Sequence, residues 1–203
     1  MSGNTDTTVE QAKVSPAGKD TTVGNYFVSN YPPFSFWKQE GVDDYRQAIE
    51  RAPNPETPLG LYLHIPFCRK RCHFCYFRVY TDKNASAING YLKAAAKELE
   101  LYRKQPFIGD RKLDFIYFGG GTPSYLSVDQ LTKLTDDLKE TLPWDDAREV
   151  TFECEPGTLT PQKLKAIRDI GVTRLSLGIE NFDDHILEIN GRAHRSREVE
   201  RAY

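Results

Sequence analysis

From Leu59 onward the sequence alternates short apolar strands with amphipathic helices. This alternation restricts the fold more than any other feature of the chain. Leu59–Ile65 has the apolar alternation of a strand. Ile88, Tyr91, Leu92, Ala95, Leu99 and Tyr102 fall on one face of a helix over 88–102. A second strand is predicted at 112–118. Ser127, with Gln130 three residues on, opens a capping-box helix that runs to about Leu142. A third strand follows at Glu149–Cys154, a helix at 161–170 and a fourth strand at 173–179. A short helix is predicted from about Asp183 and a last one from about Ser196. Helical connections between successive strands imply parallel pairing with right-handed crossovers. The predicted class is α/β, with helices over one side of a curved sheet. The four units share no recognisable sequence repeat.

In such folds the reactive groups collect where strands end and loops begin. Four strand ends here carry chemistry. After the first strand comes His64-Ile-Pro-Phe-Cys-Arg-Lys-Arg-Cys-His-Phe-Cys-Tyr-Phe77, which holds Cys68, Cys72 and Cys75. After the second comes Gly119-Gly-Gly-Thr-Pro123. Glu153 ends the third strand and Glu180 the fourth. Three thiolates spaced Cys-x₃-Cys-x₂-Cys can hold three irons of a [4Fe-4S] cubane and leave the fourth iron open to a ligand. A zinc site would need a fourth donor, for which His64, His73 and Cys154 are available, but no second cysteine pair exists. Four cysteines in 203 residues are too sparse for a disulfide framework. Cys154, in an apolar run, reads as a buried and inert thiol.

The cysteine loop, with Phe74 before its last cysteine, resembles that of the radical S-adenosylmethionine (SAM) superfamily. Tyr62-Leu-His-Ile-Pro-Phe67 narrows the resemblance to the oxygen-independent coproporphyrinogen III oxidase family, which includes haem chaperones and C-methyltransferases. The resemblance runs from about Leu59 to Arg192. It implies a partial (β/α)6 barrel, of which about four β/α units are present, as in a chain truncated at its C-terminus. It also implies a [4Fe-4S] cluster on Cys68, Cys72 and Cys75 that binds and cleaves SAM to a 5′-deoxyadenosyl radical. Gly120, Gly121 and Thr122 match the family's SAM amino-group motif. Tyr62, Phe74 and Glu153 match positions that contact SAM. Glu180 and Arg192 match two positions that help to hold a second SAM in the decarboxylating members, where Gln stands in place of Glu180. The loop ends Cys75-Tyr-Phe, where the oxidases carry a further Cys and the chaperones an Asp.

Each of these residues also has an ordinary explanation. Three glycines after a strand can be a tight turn. Glu153 can be an outward-facing charge, and Tyr62 and Phe74 can be core. Arg69, Lys70 and Arg71, which could offset cluster charge or meet propionates, read more simply as a solvated basic loop, and His64 as a side chain packed at a strand end.

The N-terminal part is different in character. Residues 1–24 are polar, without apolar periodicity, and are expected to be disordered. Residues 25–58 read as an extended aromatic and proline arm with a linker, Pro53-Asn-Pro-Glu-Thr-Pro58, and a short helix over 43–52. The arm either packs on the domain or crosses the mouth of its site. Residues 59–203 are the first part of the barrel. A net charge of −2 gives no support for nucleic-acid or membrane-surface binding, and no apolar run is long enough to span a bilayer. The chain is expected to be cytoplasmic, in a reducing compartment. The resemblance adds a tetrapyrrole substrate and an electron donor such as flavodoxin or ferredoxin.

Overall fold

The computed structural model describes residues 36–203. The expected tail and most of the aromatic arm lie outside them. The chain divides into a small unit ending at Asp44 and a large one, Tyr45–Tyr203. Helix α1, Glu40–Glu50, begins three residues earlier than its pattern predicts and stops short of Pro53.

The large unit holds strands β1 (Leu59–Ile65), β2 (Leu113–Gly120), β3 (Glu149–Cys154) and β4 (Arg174–Leu177). They form one parallel sheet in the order β1-β2-β3-β4. Helices α2 (Ala85–Arg103), α3 (Val128–Thr141) and α4 (Pro161–Asp169) make the crossovers, and α5 (Asp184–Ile189) and α6 (Ser196–Ala202) follow β4. The α/β class with four strand–helix units stands as the sequence predicts.

Local chemistry sets the boundaries. Helix α2 starts at Ala85 because Asn84 Oδ1 accepts from Ala87 N at 2.9 Å. The capping box at Ser127 is complete, with Ser127 Oγ accepting from Gln130 N and Gln130 Oε1 accepting from Ser127 N. Strand β2 runs two residues further than predicted because Gly119 and Gly120 stay in register with His64 and Ile65. Strand β4 is shorter than predicted because the chain turns away after Gly178, whose N still donates to Cys154 O, and Ile179 N bonds back to Leu177 O.

Strand alternation sorts the side chains between two faces. Leu63, Ile65, Ile116, Phe118, Val150 and Phe152 point to the helices and are buried with Ile88, Leu92, Leu131, Leu134 and Ile167. Gly60, Tyr62, His64, Tyr117, Thr151, Glu153 and Ser176 occupy the opposite registers and form the inner face. Among the described residues strand β4 is one edge of the sheet, and Arg174, Leu175 and Ser176 are exposed.

Candidate cluster and cofactor site

The loops that leave the C-terminal ends of the four strands meet around one cavity of about 290 Å³. Ten of the eleven predicted site residues border it: Cys68, Cys72, Phe74, Cys75, Gly120, Gly121, Thr122, Glu153, Glu180 and Arg192. Tyr62 does not. It lies further down the inner face, with Oη 3.0 Å from His64 Nδ1 and its ring stacked on Tyr117 at a centroid distance of 6.0 Å.

The cysteine loop is tied at its base. Cys68 N donates to Tyr80 O at 3.1 Å, and Tyr80 N donates to Pro66 O at 2.8 Å. At its tip, His73 N donates to Asn190 O and His73 Nδ1 to Ile189 O, at 3.0 and 2.7 Å. The loop is thus fastened to the C-terminal end of α5. Cys68 is buried, while Cys72 and Cys75 are half-buried. Burial pushes the Cys68 thiol upward, and the Thr122 hydroxyl, which donates to its sulfur at 3.4 Å, opposes the shift.

The glycine loop is stitched to the cysteine loop by main chain. Gly121 N donates to Ile65 O at 2.8 Å and Thr122 N to Phe67 O at 2.9 Å. A Cβ on Gly121 would fall 2.9 Å from Ile65 O and 3.0 Å from Cys68 Sγ. Gly121 is therefore required first by the close approach of the cysteine loop. Gly120 has φ +108, which favours glycine, and a Cβ there would strike the His64 ring.

Glu153 sits on the inner face at the end of β3. Tyr117 Oη donates to Glu153 Oε1 at 2.6 Å and fixes the carboxylate. That hydrogen bond, with burial, pushes the Tyr117 phenol up to about 12.

Glu180 is the one described non-glycine residue with positive φ, at 66°. Asn181 N donates to Ile179 O at 2.8 Å, so Glu180 occupies the centre of a tight three-residue turn of strained hand. Arg192 arrives from α5, where Gly191 (φ +69) ends the helix. Gly191 N donates to Glu188 O and Arg192 N to Leu187 O, the Schellman pattern. The turn delivers Arg192 to Cys72 Sγ at 3.1 Å through Nη1 and to Gly178 O at 2.6 Å through Nη2. Glu180 Oε1 lies 3.9 Å from Nη1.

The residues fit an iron–sulfur cluster. The three sulfurs stand along the wall of one cavity. Two of the sulfurs already accept hydrogen bonds, the kind that tunes a cluster. Arg192 Nε is buried beside them with no partner, a donor that an anionic group could satisfy.

Several contributors were not predicted as site residues. Arg69 is exposed, as the solvated reading has it, and also lies 3.5 Å from both Glu155 and Glu198 and donates to Ala193 O at 3.3 Å. Glu155 and His194 are buried and paired. No local pattern marks these contacts, because they join positions 86 and 129 residues from Arg69. The expectation for Cys154 agrees with its surroundings: it is buried, and burial pushes its thiol up to about 12.

The model of the Radical SAM superfamily matches residues 62–203, and the chain belongs to that superfamily. Within it, the chain is 40% identical over 139 residues to a protein of Bacillus subtilis named "Heme chaperone HemW", covering 68% of this chain and 36% of the relative. It is 32% identical over 166 residues to an "Oxygen-independent coproporphyrinogen III oxidase" of Synechocystis, covering 81% of this chain and 35% of the relative. The solved structure described as "Coproporphyrinogen III oxidase (HemN) from Escherichia coli is a Radical SAM enzyme" matches with a TM-score of 0.70 and 30% identity, covering 86% of this chain and 39% of that one. The chain spans little more than a third of the length of these relatives. Among the described residues no helix is long and apolar enough to cross a membrane.

Proposed function

We propose that this chain is the cluster- and SAM-binding part of a radical SAM enzyme that acts on a tetrapyrrole, by oxidative decarboxylation of the coproporphyrinogen III oxidase kind. The observation that carries the reading is the meeting of the cysteine loop, the Gly120–Thr122 backbone, Glu153, Glu180 and Arg192 around one cavity. Cys68, Cys72 and Cys75 would hold a [4Fe-4S] cluster. When bound, the cluster and SAM supply a one-electron cleavage that yields a 5′-deoxyadenosyl radical. Thr122 and Arg192 donate to two of the cysteine sulfurs and lower the charge they present. Glu153, oriented by Tyr117, offers acceptor oxygens for the amino or ribose groups of SAM. Phe74 supplies an exposed ring beside the cavity for the adenine. The electron would come from a donor such as flavodoxin or ferredoxin.

Glu180 favours a second reading. In place of the family's Gln it keeps acceptor oxygens but lacks an amide donor and adds charge at the cavity. That weakens the case for a second SAM and for decarboxylation. It fits either transfer of a methyl group to carbon, including anaerobic haem breakdown, or a haem chaperone without decarboxylase activity. The B. subtilis relative carries the chaperone name.

The test uses the full-length protein, reconstituted and reduced without oxygen, with SAM and either coproporphyrinogen III or haem. Loss of carbon dioxide units by mass spectrometry establishes decarboxylation, and added methyl mass establishes transfer. Unchanged porphyrin with haem retained in stoichiometric amount establishes the chaperone. If 5′-deoxyadenosine never forms and no iron is bound, the radical SAM reading fails for this chain.

A further inference from the structure

His194 has no exposed surface and lies outside the wall of the cavity, yet it touches both sides of the site. Its Nε2 is 3.1 Å from Ile179 O. A carbonyl only accepts, so Nε2 carries a proton. That carbonyl also accepts from Asn181 N, and the residue between them is the strained Glu180. The opposite nitrogen, Nδ1, is 3.1 Å from Glu155 Oε1. The Glu155 carboxylate also accepts from Gly157 N at 3.2 Å and meets Arg69 Nη1 at 3.5 Å through its other oxygen. Arg69 directly follows Cys68, and besides meeting Glu198 it donates to Ala193 O, in the segment that carries His194. One buried imidazole thus joins the turn that aims Glu180 to the arginine that steadies the cysteine loop.

A positive φ at glutamate costs energy and persists only when its surroundings hold it. The main chain supplies the Asn181 bond, and the side chains of Arg192 and His194 hold the carbonyls of Gly178 and Ile179. We propose that His194 is a positioning residue. Through Nε2 it holds the turn that presents Glu180, and through Nδ1 and Glu155 it anchors Arg69 and the cysteine loop. The second of these roles rests on the reading that the loop binds a cluster, whereas the first does not.

The two nitrogens can be separated. His194→Asn places an amide nitrogen where Nδ1 stands and abandons Ile179 O. His194→Gln places one where Nε2 stands and abandons Glu155. Hydrogen exchange across 178–181 is read on the unloaded chain. Loss of iron to a chelator is read on the anaerobically reconstituted chain. His194→Asn is expected to speed exchange at 178–181 about fivefold, the equivalent of one net hydrogen bond, and to leave iron loss unchanged. His194→Gln is expected to speed iron loss by a similar factor and to leave exchange unchanged. The inference is overturned if neither variant moves its own readout. It is also overturned if both variants move both readouts together with a lower unfolding midpoint, which would mark plain loss of packing. Failure of the parent chain to bind iron defeats the cluster reading, and the exchange comparison still decides whether His194 holds the Glu180 turn.

Discussion

The guanidinium of Arg192 donates to Cys72 Sγ at 3.1 Å, although the two residues lie 120 positions apart. The same side chain holds Gly178 O, so it ties the cysteine loop to the start of the Glu180 turn. A cation at a thiolate favours the more negative state of a cluster. Arg192→Gln should therefore make the cluster harder to reduce. The expected shift is roughly 40 mV downward, the worth of about one net hydrogen bond in a one-electron couple. Potentiometric titration followed by electron paramagnetic resonance measures it. An unchanged potential would remove Arg192 from the cluster's surroundings.

Iron content separates the cysteines. Alanine at Cys68, Cys72 or Cys75 should abolish the roughly four irons per chain expected after anaerobic reconstitution. Cys154→Ala should leave loading intact, because that thiol is buried among core residues and borders the cavity without belonging to the cysteine loop. Equal dependence on Cys154, or stoichiometric zinc without iron–sulfur absorbance, would contradict the assignment.

Gly121→Val should damage the cluster seat as well as SAM binding. The sequence alone places the requirement for glycine at the approach of the ligand. The contacts place it at Ile65 O, Cys68 Sγ and Phe67 N, all within 3.1 Å of a Cβ. Backbone at such distances cannot give way cheaply, so destabilisation of about 1–3 kcal/mol is expected together with reduced iron loading. Full iron loading with only SAM binding lost would restore the simpler explanation.

Tyrosinate absorbance tests the bond between Tyr117 and Glu153. Two phenols, Tyr117 and Tyr102, are raised to about 12, chiefly by hydrogen bonds to Glu153 and Tyr45 respectively. The neutral Tyr117 phenol is the bonded form. Its contribution to stability is complete below the ordinary value near 10 and disappears as pH rises from there to about 12. Glu153→Ala should return one late-titrating tyrosine towards 10, and Tyr117→Phe should remove it. A late tyrosinate titration unchanged in both variants would place the shift elsewhere.

Glu180→Gln and Glu180→Gly probe different properties of one position. If the full-length protein decarboxylates, Gln should keep or improve turnover, since it restores an amide donor. If Glu180 serves methyl transfer or haem retention, the same change should impair it. Gly should relieve the φ of 66° and raise the unfolding free energy by about 1 kcal/mol, whatever the substrate. A loss of stability with Gly would mean that the carboxylate contributes more than its backbone costs.

How much of this was legible in the sequence depended on the range of the interactions. Strand β3 has the predicted bounds because its turn-rich flanks are local signals. The capping box at Ser127 and the helix starting after Asp183 are local as well. The four loops could be assigned to one site because parallel strands send them to one end of the sheet. Arg69 is exposed, as a solvated loop residue is, but its ion pairs are not legible in the sequence because its carboxylate partners, Glu155 and Glu198, come from distant segments. His194 gave no signal, since a single histidine after a glycine turn has no pattern. Tyr62, matched to a SAM contact through the resemblance, lies on the inner face against His64 and Tyr117, outside the cavity wall. The strained turn at Glu180 was hidden because nothing in Gly178-Ile-Glu-Asn requires a positive φ at a glutamate.

The two halves of the cavity are fastened by different means, and this bears on how such a chain can diverge. The cysteine and glycine loops are joined by main-chain bonds from Gly121 and Thr122, which depend little on side-chain identity. The Glu180 turn has main-chain bonds too, from Gly178 N to Cys154 O and from Asn181 N to Ile179 O, but its carbonyls at Gly178 and Ile179 are held by the side chains of Arg192 and His194. Substitution at position 180 or in its clasp can therefore retune what lies over the cavity while the cysteine seat keeps its backbone frame. Change at the turn and constancy of the frame under the cysteines are separable steps in a protein built this way.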